Sequence, residues 1–267
     1  MKKLFFPVLL FFIWANSCLA GVSVIGGLSR ENTAKPGERL EGVILLKNTG
    51  ESPAEVKVYQ TDFLSYADGR NIYGEPGSTP RSSAGWISLS PSRLVIPPQN
   101  TASVYYDLRL PADKALKGTY WSVVMVEPIP ETSPESMTGE KGKIKIGIRA
   151  VIRYGIQIVT DIGDTGERRI RFSDKRLLSR DGQKILRLDI ENTGDRWLSP
   201  LVWADLFTEP GRSIGRFESG RFRIYPGCSV RHRINLTGVP AGKYRALVVV
   251  DNGDEYVFGA RYDLEIE

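Results

Sequence analysis

Side chains that commonly perform catalysis or bind metals are scarce in this chain of 267 residues. The sequence has one histidine, His232, and two cysteines, Cys18 and Cys228, which cannot supply the four ligands of an ordinary zinc site. It lacks the Gly-x-Ser-x-Gly turn of many hydrolases, the Gly-Lys-Ser/Thr loop that binds phosphates and the glycine pattern that binds dinucleotides. Asp and Glu are plentiful, but their spacing singles out no carboxylate pair for glycoside hydrolysis. We therefore predict that the protein is not an enzyme, has no metal site and needs no cofactor.

The few candidate residues have simpler structural interpretations. His232 stands in an Arg-His-Arg run of an alternating strand, which predicts a solvated sheet residue rather than a ligand or base. Cys228 follows a turn at 225–227 and is interpreted as a small, semi-buried residue. Residues 161–164 and 251–254 lack the full ligand series of a calcium-binding loop, so we predict that both are hairpin turns.

The overall composition indicates a folded protein that does not bind nucleic acid. Hydrophobic residues make up 41% of the chain, which is enough for the cores of one large or two ordinary domains. The net charge is +5, but the 36 basic residues are interleaved with 31 acidic residues. Since no dense basic run with interleaved aromatic residues is present, we expect no nucleic-acid partner.

Residues 1–20 have the pattern of a secretory signal peptide. Two lysines precede an apolar run at 4–14, and small residues lead to a predicted cleavage site after Ala20. We therefore predict that the mature protein is periplasmic, with a lipoprotein anchored at Cys18 as the alternative. No later segment approaches about 18 consecutive apolar residues, so no membrane span is expected in the mature chain. Cleavage would leave a single cysteine and therefore no intramolecular disulfide.

Strand and turn signals recur along the whole chain, whereas helical periodicity is nearly absent. Asn-Thr-Gly, Asp-Gly and Pro-Gly turns separate short segments in which apolar and polar residues alternate. This pattern predicts an all-β protein of the sandwich or barrel type. The strand candidates are residues 40–47, 55–63, 103–110, 120–127, 184–190, 230–236 and 244–250.

Three sequence matches in the same order indicate an internal duplication. The matching pairs are 48–50 with 192–194, 94–98 with 222–226, and 118–126 with 242–250. We therefore predict two Ig-like β-sandwich domains in tandem. The predicted organisation is a signal peptide at 1–20, a first sandwich at 21–157 and a second at 158–267. An excess of residues in the first copy lies largely at 65–85, interpreted as a surface loop with a binding loop as the alternative.

Residues 143–159 form the longest alternating segment. Apolar residues occupy its even positions, while Lys, Arg, Gly and Gln occupy most odd positions, as in a strand with one apolar face. At roughly 3.3 Å per residue such a strand would run about 55 Å, which exceeds an ordinary strand several-fold. We therefore expect it either to cross a domain boundary, bending near Gly155, or to offer part of its length to a partner.

The segment before this strand resembles a known family. Residues 86–130 contain Ser90-Pro91, Leu94, the run Leu110-Pro111-Ala112-Asp113, Tyr120-Trp121 and Ile129-Pro130. The order and approximate spacing of these residues resemble the first domain of PapD-like periplasmic chaperones of pilus assembly. In that family the next strand binds pilus subunits. A pilus subunit is a sandwich that lacks one strand, and the chaperone lends its edge strand to complete it.

The resemblance implies a function and a set of binding residues. It implies that this protein binds secreted or pilin-type subunits by β-strand addition, with an outer-membrane usher as a further candidate partner. Ile144, Ile146, Ile148 and Ile152 would lie in the partner-binding strand, the first three as the inserted residues. Arg153, together with Arg30 near the mature amino terminus, would hold the terminal carboxylate of the subunit.

Two other interpretations of the long strand stay open. It can be an ordinary core strand that continues into the next domain, or part of an Ig-like binding or structural module without chaperone activity. The Lys-Pro-Gly-Glu opening at 35–38 and the later Gly-x-Tyr strand are similar to cell-surface proteins associated with WxL peptidoglycan-binding systems. Exposure of an edge at 144–148 discriminates between these interpretations, because only a strand donor needs it accessible.

Overall fold

The computed structural model describes residues 21–130 and 151–267, which form two β-sandwiches. The strands of the first sandwich are β1 (Val22–Ile25), β2 (Ser29–Ala34), β3 (Arg39–Asn48), β4 (Ala54–Ser65), β5 (Asn71–Gly74), β6 (Ile87–Ser90), β7 (Arg93–Ile96), β8 (Thr101–Arg109), β9 (Gly118–Ile129) and β10 (Tyr154–Ile162). One sheet has the order β1-β3-β8-β6, and the other has the order β2-β10-β9-β4-β5, with β7 also paired to β4. A short 3₁₀ helix at Ala84–Trp86 precedes β6.

The second sandwich follows after a short connection. Its strands are β11 (Ile170–Arg180), β12 (Gln183–Asn192), β13 (Leu201–Thr208), β14 (Ser213–Ser219), β15 (Ser229–Asn235), β16 (Gly242–Asp251) and β17 (Val257–Ile266). They form a sheet of order β11-β12-β15 and a sheet of order β14-β13-β16-β17. The prediction of an all-β protein with two sandwiches is thus confirmed, and every strand candidate is observed as a strand. Among the described residues, no helix combines the length and apolar character that crossing a membrane requires.

Period-two alternation builds both cores. In β3, Ile44 and Leu46 are fully buried while the residues between and beside them are exposed. In β12, Leu186 and Leu188 are likewise fully buried. Burying each such side chain contributes about 1.5 to 3 kcal/mol, so the paired inner faces of the sheets supply most of the stability.

The duplicated Asn-Thr-Gly turns fold in the same way in both domains. Asn48 donates from Nδ2 to the carbonyl oxygens of Ile96 (3.0 Å) and Ser52 (2.8 Å). Asn192 donates to the carbonyl oxygens of Ile224 (2.9 Å) and Arg196 (2.6 Å). Each Asn is buried, and its Oδ1 accepts from the amide of the glycine two residues later at 2.9 Å. In each domain the buried Asn therefore joins a strand end to a neighbouring segment through hydrogen bonds.

The strand β10 belongs entirely to the first sandwich. It runs antiparallel to β9 from Tyr154 to Ile162 and parallel to β2 from Gln157 onward. The strand therefore extends past residue 157, and Ile156 and Ile158 are buried in the first core. Gly155 lies within the strand as the partner of Met125 and does not end it.

His232 is not a solvated residue, and that prediction is corrected. It lies on β15, opposite Leu188 of β12, and its side chain is fully buried in the second sandwich. Nδ1 lies 3.1 Å from Ser219 Oγ, and the ring meets Phe222 edge to face at 5.2 Å. Burial lowers the pKa of His232 from 6.5 to about 4, because a charged imidazolium would lose its hydration.

The buried imidazole predicts a loss of stability in acid. The folded protein holds His232 neutral, whereas the unfolded chain takes up a proton as the pH falls below 6.5. The free energy of unfolding should therefore decrease from about pH 6.5 down to about pH 4, by roughly 3 kcal/mol for a pKa difference of this size. Urea unfolding at pH 7 and pH 4.5 measures this decrease. His232→Gln should lose most of this dependence, and an equal dependence in both proteins would contradict the assignment.

The two sandwiches share a packed junction. Trp121 of β9 and Val159 of β10 belong to the first sandwich but pack into the core of the second, with 2% and 1% of their surfaces exposed. The Trp121 ring stacks on Tyr225 with centroids 4.6 Å apart and an angle of 9° between planes. Its Nε1 donates to the carbonyl oxygen of Phe63 at 2.8 Å. The boundary between the two domains is therefore part of the hydrophobic core of the second sandwich.

Polar contacts fix the same junction on its other side. Asp195 of the second sandwich forms ion pairs with Arg81 and with Lys117, the latter at 3.1 Å. Its carbonyl oxygen also accepts from the Thr119 amide at 2.8 Å. Gly118 has φ of +72°, and a Cβ there would lie 2.2 Å from the Asp195 carbonyl oxygen. Only glycine allows the chains to approach this closely.

Candidate partner-binding cleft

The outer face of the larger sheet in the first sandwich forms a cleft beside the second sandwich. Even-numbered residues of β4, β9 and β10 face the first core, so the odd-numbered residues face outward. Nearest the second sandwich, this face is closed by the junction around Trp121. Further along the strands lie Tyr59, Met125 and Gly155, which are neighbours on adjacent strands. The outer face of these strands is therefore buried at the domain junction and open at its other end.

Apolar residues form the floor of the cleft. Val123 and Met125 of β9 are 3% and 9% exposed. A Cβ at Gly155 would lie 3.0 Å from Val123 Cγ1 and 3.4 Å from Met125 Sδ. The absence of a side chain at Gly155 therefore leaves room above the floor. A groove of about 750 Å³ opens here and is lined by Tyr73 and Arg153 as well as Met125.

The excess segment of the first copy builds one wall of this groove. Thr61 of β4 donates from Oγ1 to the carbonyl oxygen of Gly74 at 2.6 Å, which holds β5 against the sheet. Tyr73 of β5 packs on Phe63 with ring centroids 5.1 Å apart and stays 59% exposed. Part of residues 65–85 is therefore ordered as a strand, which corrects the interpretation as a plain surface loop.

Asp62 anchors the rest of that segment. Its buried carboxylate accepts from the Thr79 amide at 2.7 Å, from Ser78 Oγ at 3.2 Å and from Ser82 Oγ. Burial alone would raise the pKa of Asp62, but the hydrogen bonds from Ser82, Thr79 and Gly77 outweigh it and hold the pKa below its usual value. The wall is therefore fixed by an ionised carboxylate at neutral pH.

The open end of the groove is basic. Arg153 is 57% exposed and makes one long ion pair with Glu127, at 3.8 Å. Tyr59 donates to Glu127 Oε2 at 2.8 Å, and the Lys57 ammonium lies 4.9 Å from the centre of the Tyr59 ring. Burial raises the pKa of Tyr59, and Glu127 adds to this increase while Arg153 opposes it. Because more than half of the Arg153 side chain is exposed, it is accessible to a carboxylate supplied by a partner.

Arg223 closes the cleft next to the junction, and the sequence patterns did not single it out. Its guanidinium donates to Ser29 Oγ at 2.7 Å and Gln157 Oε1 at 3.1 Å, and it pairs with Glu31. Tyr225 also donates to Gln157 Oε1, at 2.6 Å, and its burial raises its pKa to about 12. The internal duplication does distinguish Arg223. The matching residue in the first copy is the apolar Val95, so an arginine at this position is a departure from the repeat.

Arg30 does not meet Arg153 in the cleft. It is the partner of Ile158 in the β2–β10 pairing, and Ile158 faces the first core. The Arg30 guanidinium donates to the carbonyl oxygens of Gly27 (2.6 Å) and Ser29 (3.1 Å). Because side chains alternate along β2, Arg30 points away from the outer face. Among residues 21–130 and 151–267, Arg30 and Arg153 make no contact with each other, although both were predicted to bind the carboxylate of a subunit.

The described chain also leaves a sheet edge open at the basic end. Within residues 21–130 and 151–267, β10 upstream of Gln157 pairs with β9 alone, because its pairing with β2 begins at Gln157. Among the described residues, 127–129 of β9 pair with β4 on one side and have no strand partner on the other. Val151 and Ile152 lie outside any strand, with 42% and 50% of their surfaces exposed. The predicted partner-binding residues Ile144, Ile146 and Ile148 lie outside the described residues.

Comparisons with known proteins find similarity in solved structures. No family model and no curated protein matches the sequence. Fimbrial chaperones match over most of this chain at low identity. One is from a chaperone–tip adhesin complex of CFA/I fimbriae, 13% identical, covering 93% of this chain and 100% of that chain with a TM-score of 0.49. Another is the Class 5 fimbriae chaperone CfaA, 13% identical, covering 90% and 98% with a TM-score of 0.48. A third is the CsuC–CsuE pre-assembly complex of Acinetobacter baumannii, 12% identical, covering 91% and 98% with a TM-score of 0.43.

Proposed function

We propose that this protein is a periplasmic chaperone-like protein that binds secreted or pilin-type subunits by lending an edge β-strand. The observation that carries this proposal is the edge of β9 and β10, which has no strand partner among residues 21–130 and 151–267 upstream of Gln157 and lies next to the exposed Val151 and Ile152. A sheet edge without a strand partner favours addition of a strand from another chain. The protein thus acts by binding and not by catalysis, and an outer-membrane usher is its further candidate partner.

The donated segment is the alternating part of the chain upstream of Tyr154. Within β10, Ile156 and Ile158 face the core of the first sandwich, so the even positions of this strand are the apolar ones. Alternation continues upstream at Ile144, Ile146 and Ile148. In a subunit that lacks a strand, these side chains would fill the exposed groove while the backbone completes the sheet.

The groove beside this edge supplies an anchor for the end of the partner chain. Arg153 and Lys57 carry positive charge at the open end, and Met125 and Tyr59 offer an apolar floor. The carboxyl-terminal end of a partner chain fits this groove, because its carboxylate can pair with the positive charges and an apolar side chain can pack on the floor. We assign the carboxylate contact to Arg153 with Lys57, rather than to Arg153 with Arg30, because Arg30 is directed away from the groove.

A second candidate function is an Ig-like binding or structural module without chaperone activity. The burial of Ile156 and Ile158 favours it, since the downstream half of the long strand is a core strand of the first sandwich. This half cannot be donated without unfolding the domain. The two functions therefore differ only in what the upstream half does.

Aggregation of an incomplete subunit distinguishes the two functions. A pilin-type sandwich lacking its last strand is diluted from denaturant with and without the purified protein, and light scattering is followed. We expect suppression of scattering and a soluble complex of defined stoichiometry on size exclusion. Unchanged aggregation at equimolar protein, with the same subunit rescued by its own missing strand as a peptide, would rule out the chaperone function.

The carboxylate anchor predicts a selective effect of Arg153→Ala. The variant should bind a peptide from the end of a subunit roughly tenfold more weakly, because one charged hydrogen bond is lost. The same peptide with an amidated end should bind wild type and variant nearly alike. Calorimetric titration of both peptides measures the difference, and equal weakening for the free acid and the amide would contradict the assignment.

A further inference from the structure

The outer face of the β11-β12-β15 sheet carries a row of three arginines. Arg176 of β11 is the register partner of Arg187 of β12, and Arg187 is the register partner of Arg233 of β15. Like charges directly opposite each other on adjacent strands destabilise a sheet. This arrangement is therefore costly unless negative charges offset it.

Only part of the positive charge is offset within the sheet. Asp174 pairs with Arg187 at 2.5 Å and with Arg176 at 3.2 Å, and the hydrogen bond from Arg187 lowers the pKa of Asp174. The neighbouring Arg231 is paired separately with Asp189, at 2.6 and 2.7 Å. Among Arg176, Arg187, Arg231, Arg233, Asp174 and Asp189, the arginines outnumber the aspartates, although Asp68 of the first sandwich also acts on Arg231.

Two guanidinium groups of the row have unused donors. Arg187 is only 16% exposed, and its buried Nε has no hydrogen-bond partner among the described residues. Arg233 is exposed and makes no ion pair or side-chain hydrogen bond with any residue in 21–130 or 151–267. An acceptor brought by a ligand can reach the exposed Arg233 guanidinium, whereas the Nε of Arg187 is buried and closed to it.

Apolar surface adjoins the row on one side. Leu178 and Ile185 are register partners two residues further along the strands, on the same face, and Leu178 is 42% exposed. A groove of about 300 Å³ is lined by Ile185, Arg233 and Asn235. A ligand at the row would therefore meet guanidinium groups on one side and an aliphatic and amide surface on the other.

We propose that this row, the arginine row of Arg176, Arg187 and Arg233, binds a phosphate group. A phosphate offers three or four acceptor oxygens and up to two negative charges, which matches several guanidinium groups in a row better than a carboxylate does. The adjoining apolar surface suits a phosphate attached to a carbon chain. The site contains none of the cleft residues and does not depend on the proposed chaperone function.

Binding of pyrophosphate and of phospholipid vesicles tests the proposal. Pyrophosphate is titrated calorimetrically into the purified protein at low salt, and the protein is sedimented with phosphatidylcholine vesicles with and without phosphatidic acid. Arg233→Gln and Arg176→Gln, both at exposed positions, are compared with Arg245→Gln. Arg245 is a matched control because it is exposed on the other sheet of the same sandwich and has no ion pair among the described residues.

We expect wild type and Arg245→Gln to bind at least one probe, and the two row variants to bind it roughly tenfold more weakly. Binding of acidic vesicles without binding of pyrophosphate assigns the phosphate to a lipid headgroup, and the reverse assigns it to a small soluble ligand. Thermal unfolding midpoints within a degree or two of wild type show that the variants are folded. Absence of binding by wild type, or equal weakening in Arg245→Gln, would overturn the proposal.

Discussion

Replacing Ile146 by aspartate should abolish capture of a subunit while leaving the protein folded. In strand addition an inserted apolar side chain enters a dry groove of the partner, and an aspartate there would bury a charge without a counterion. A penalty of several kcal/mol corresponds to a loss of affinity of at least about a hundredfold. Affinity is measured by calorimetry against a subunit stabilised in solution, and folding by circular dichroism and the thermal midpoint.

Lys145→Asp is the matched control for this prediction. It introduces the same residue one position away, where alternation directs the side chain to the opposite face of the strand. We expect its affinity to fall severalfold at most. Equal loss of binding in both variants would point to a general charge effect. Loss of the folded state in Ile146→Asp would instead show that the upstream half is a core strand, as Ile156 and Ile158 are.

The sequence predicted the fold because both of its signals act locally. Alternating residues such as Leu186 and Leu188 predicted strands with one buried face, and those residues are fully buried. The repeated Asn-Thr-Gly turns predicted two copies of one domain. Asn48 and Asn192 make equivalent hydrogen bonds in the two sandwiches. Such contacts lie within one domain and recur in each copy, so a pattern in the sequence can reveal them.

The burial of His232 could have been predicted from the alternation of its strand. Its neighbours on both sides are arginines, which favoured a solvated position, yet alternation places His232 on the same face as Ile234. Ile234 is fully buried, and so is His232. The alternation of side chains along the strand is therefore a better guide to the burial of His232 than the polarity of its two neighbours.

The cleft could not be predicted in the same way because residues far apart in sequence build it. Arg223 reaches Ser29 and Gln157 across the domain junction, and no local pattern encodes that contact. The separation of Arg30 from Arg153 follows from the strand pairing, which places Arg30 opposite Ile158. Length and alternation alone also could not show that the strand joins the first sandwich as far as Ile162.

Replacing Trp121 by alanine should uncouple the two sandwiches. The indole is 2% exposed, stacks on Tyr225 and donates to the Phe63 carbonyl, so its removal leaves a cavity and removes this hydrogen bond at the junction. Truncating a buried tryptophan costs about 3 to 5 kcal/mol. Since Trp121 packs into the core of the second sandwich, we expect a single unfolding transition in wild type and two separate transitions in the variant. Differential scanning calorimetry measures both the number of transitions and their midpoints.

Trp203→Ala is the control, because Trp203 lies on β13 away from the junction, where Arg216 covers its ring at 4.5 Å. This variant should keep one transition with a modest decrease in midpoint. The proposed function adds a second consequence. The cleft lies on the first sandwich beside the junction, so loss of the fixed orientation of the two domains should weaken binding of a subunit end that contacts both Arg153 and the region around Arg223. Two transitions already present in wild type, or one transition retained in Trp121→Ala with unchanged binding, would show that the junction does not couple the domains.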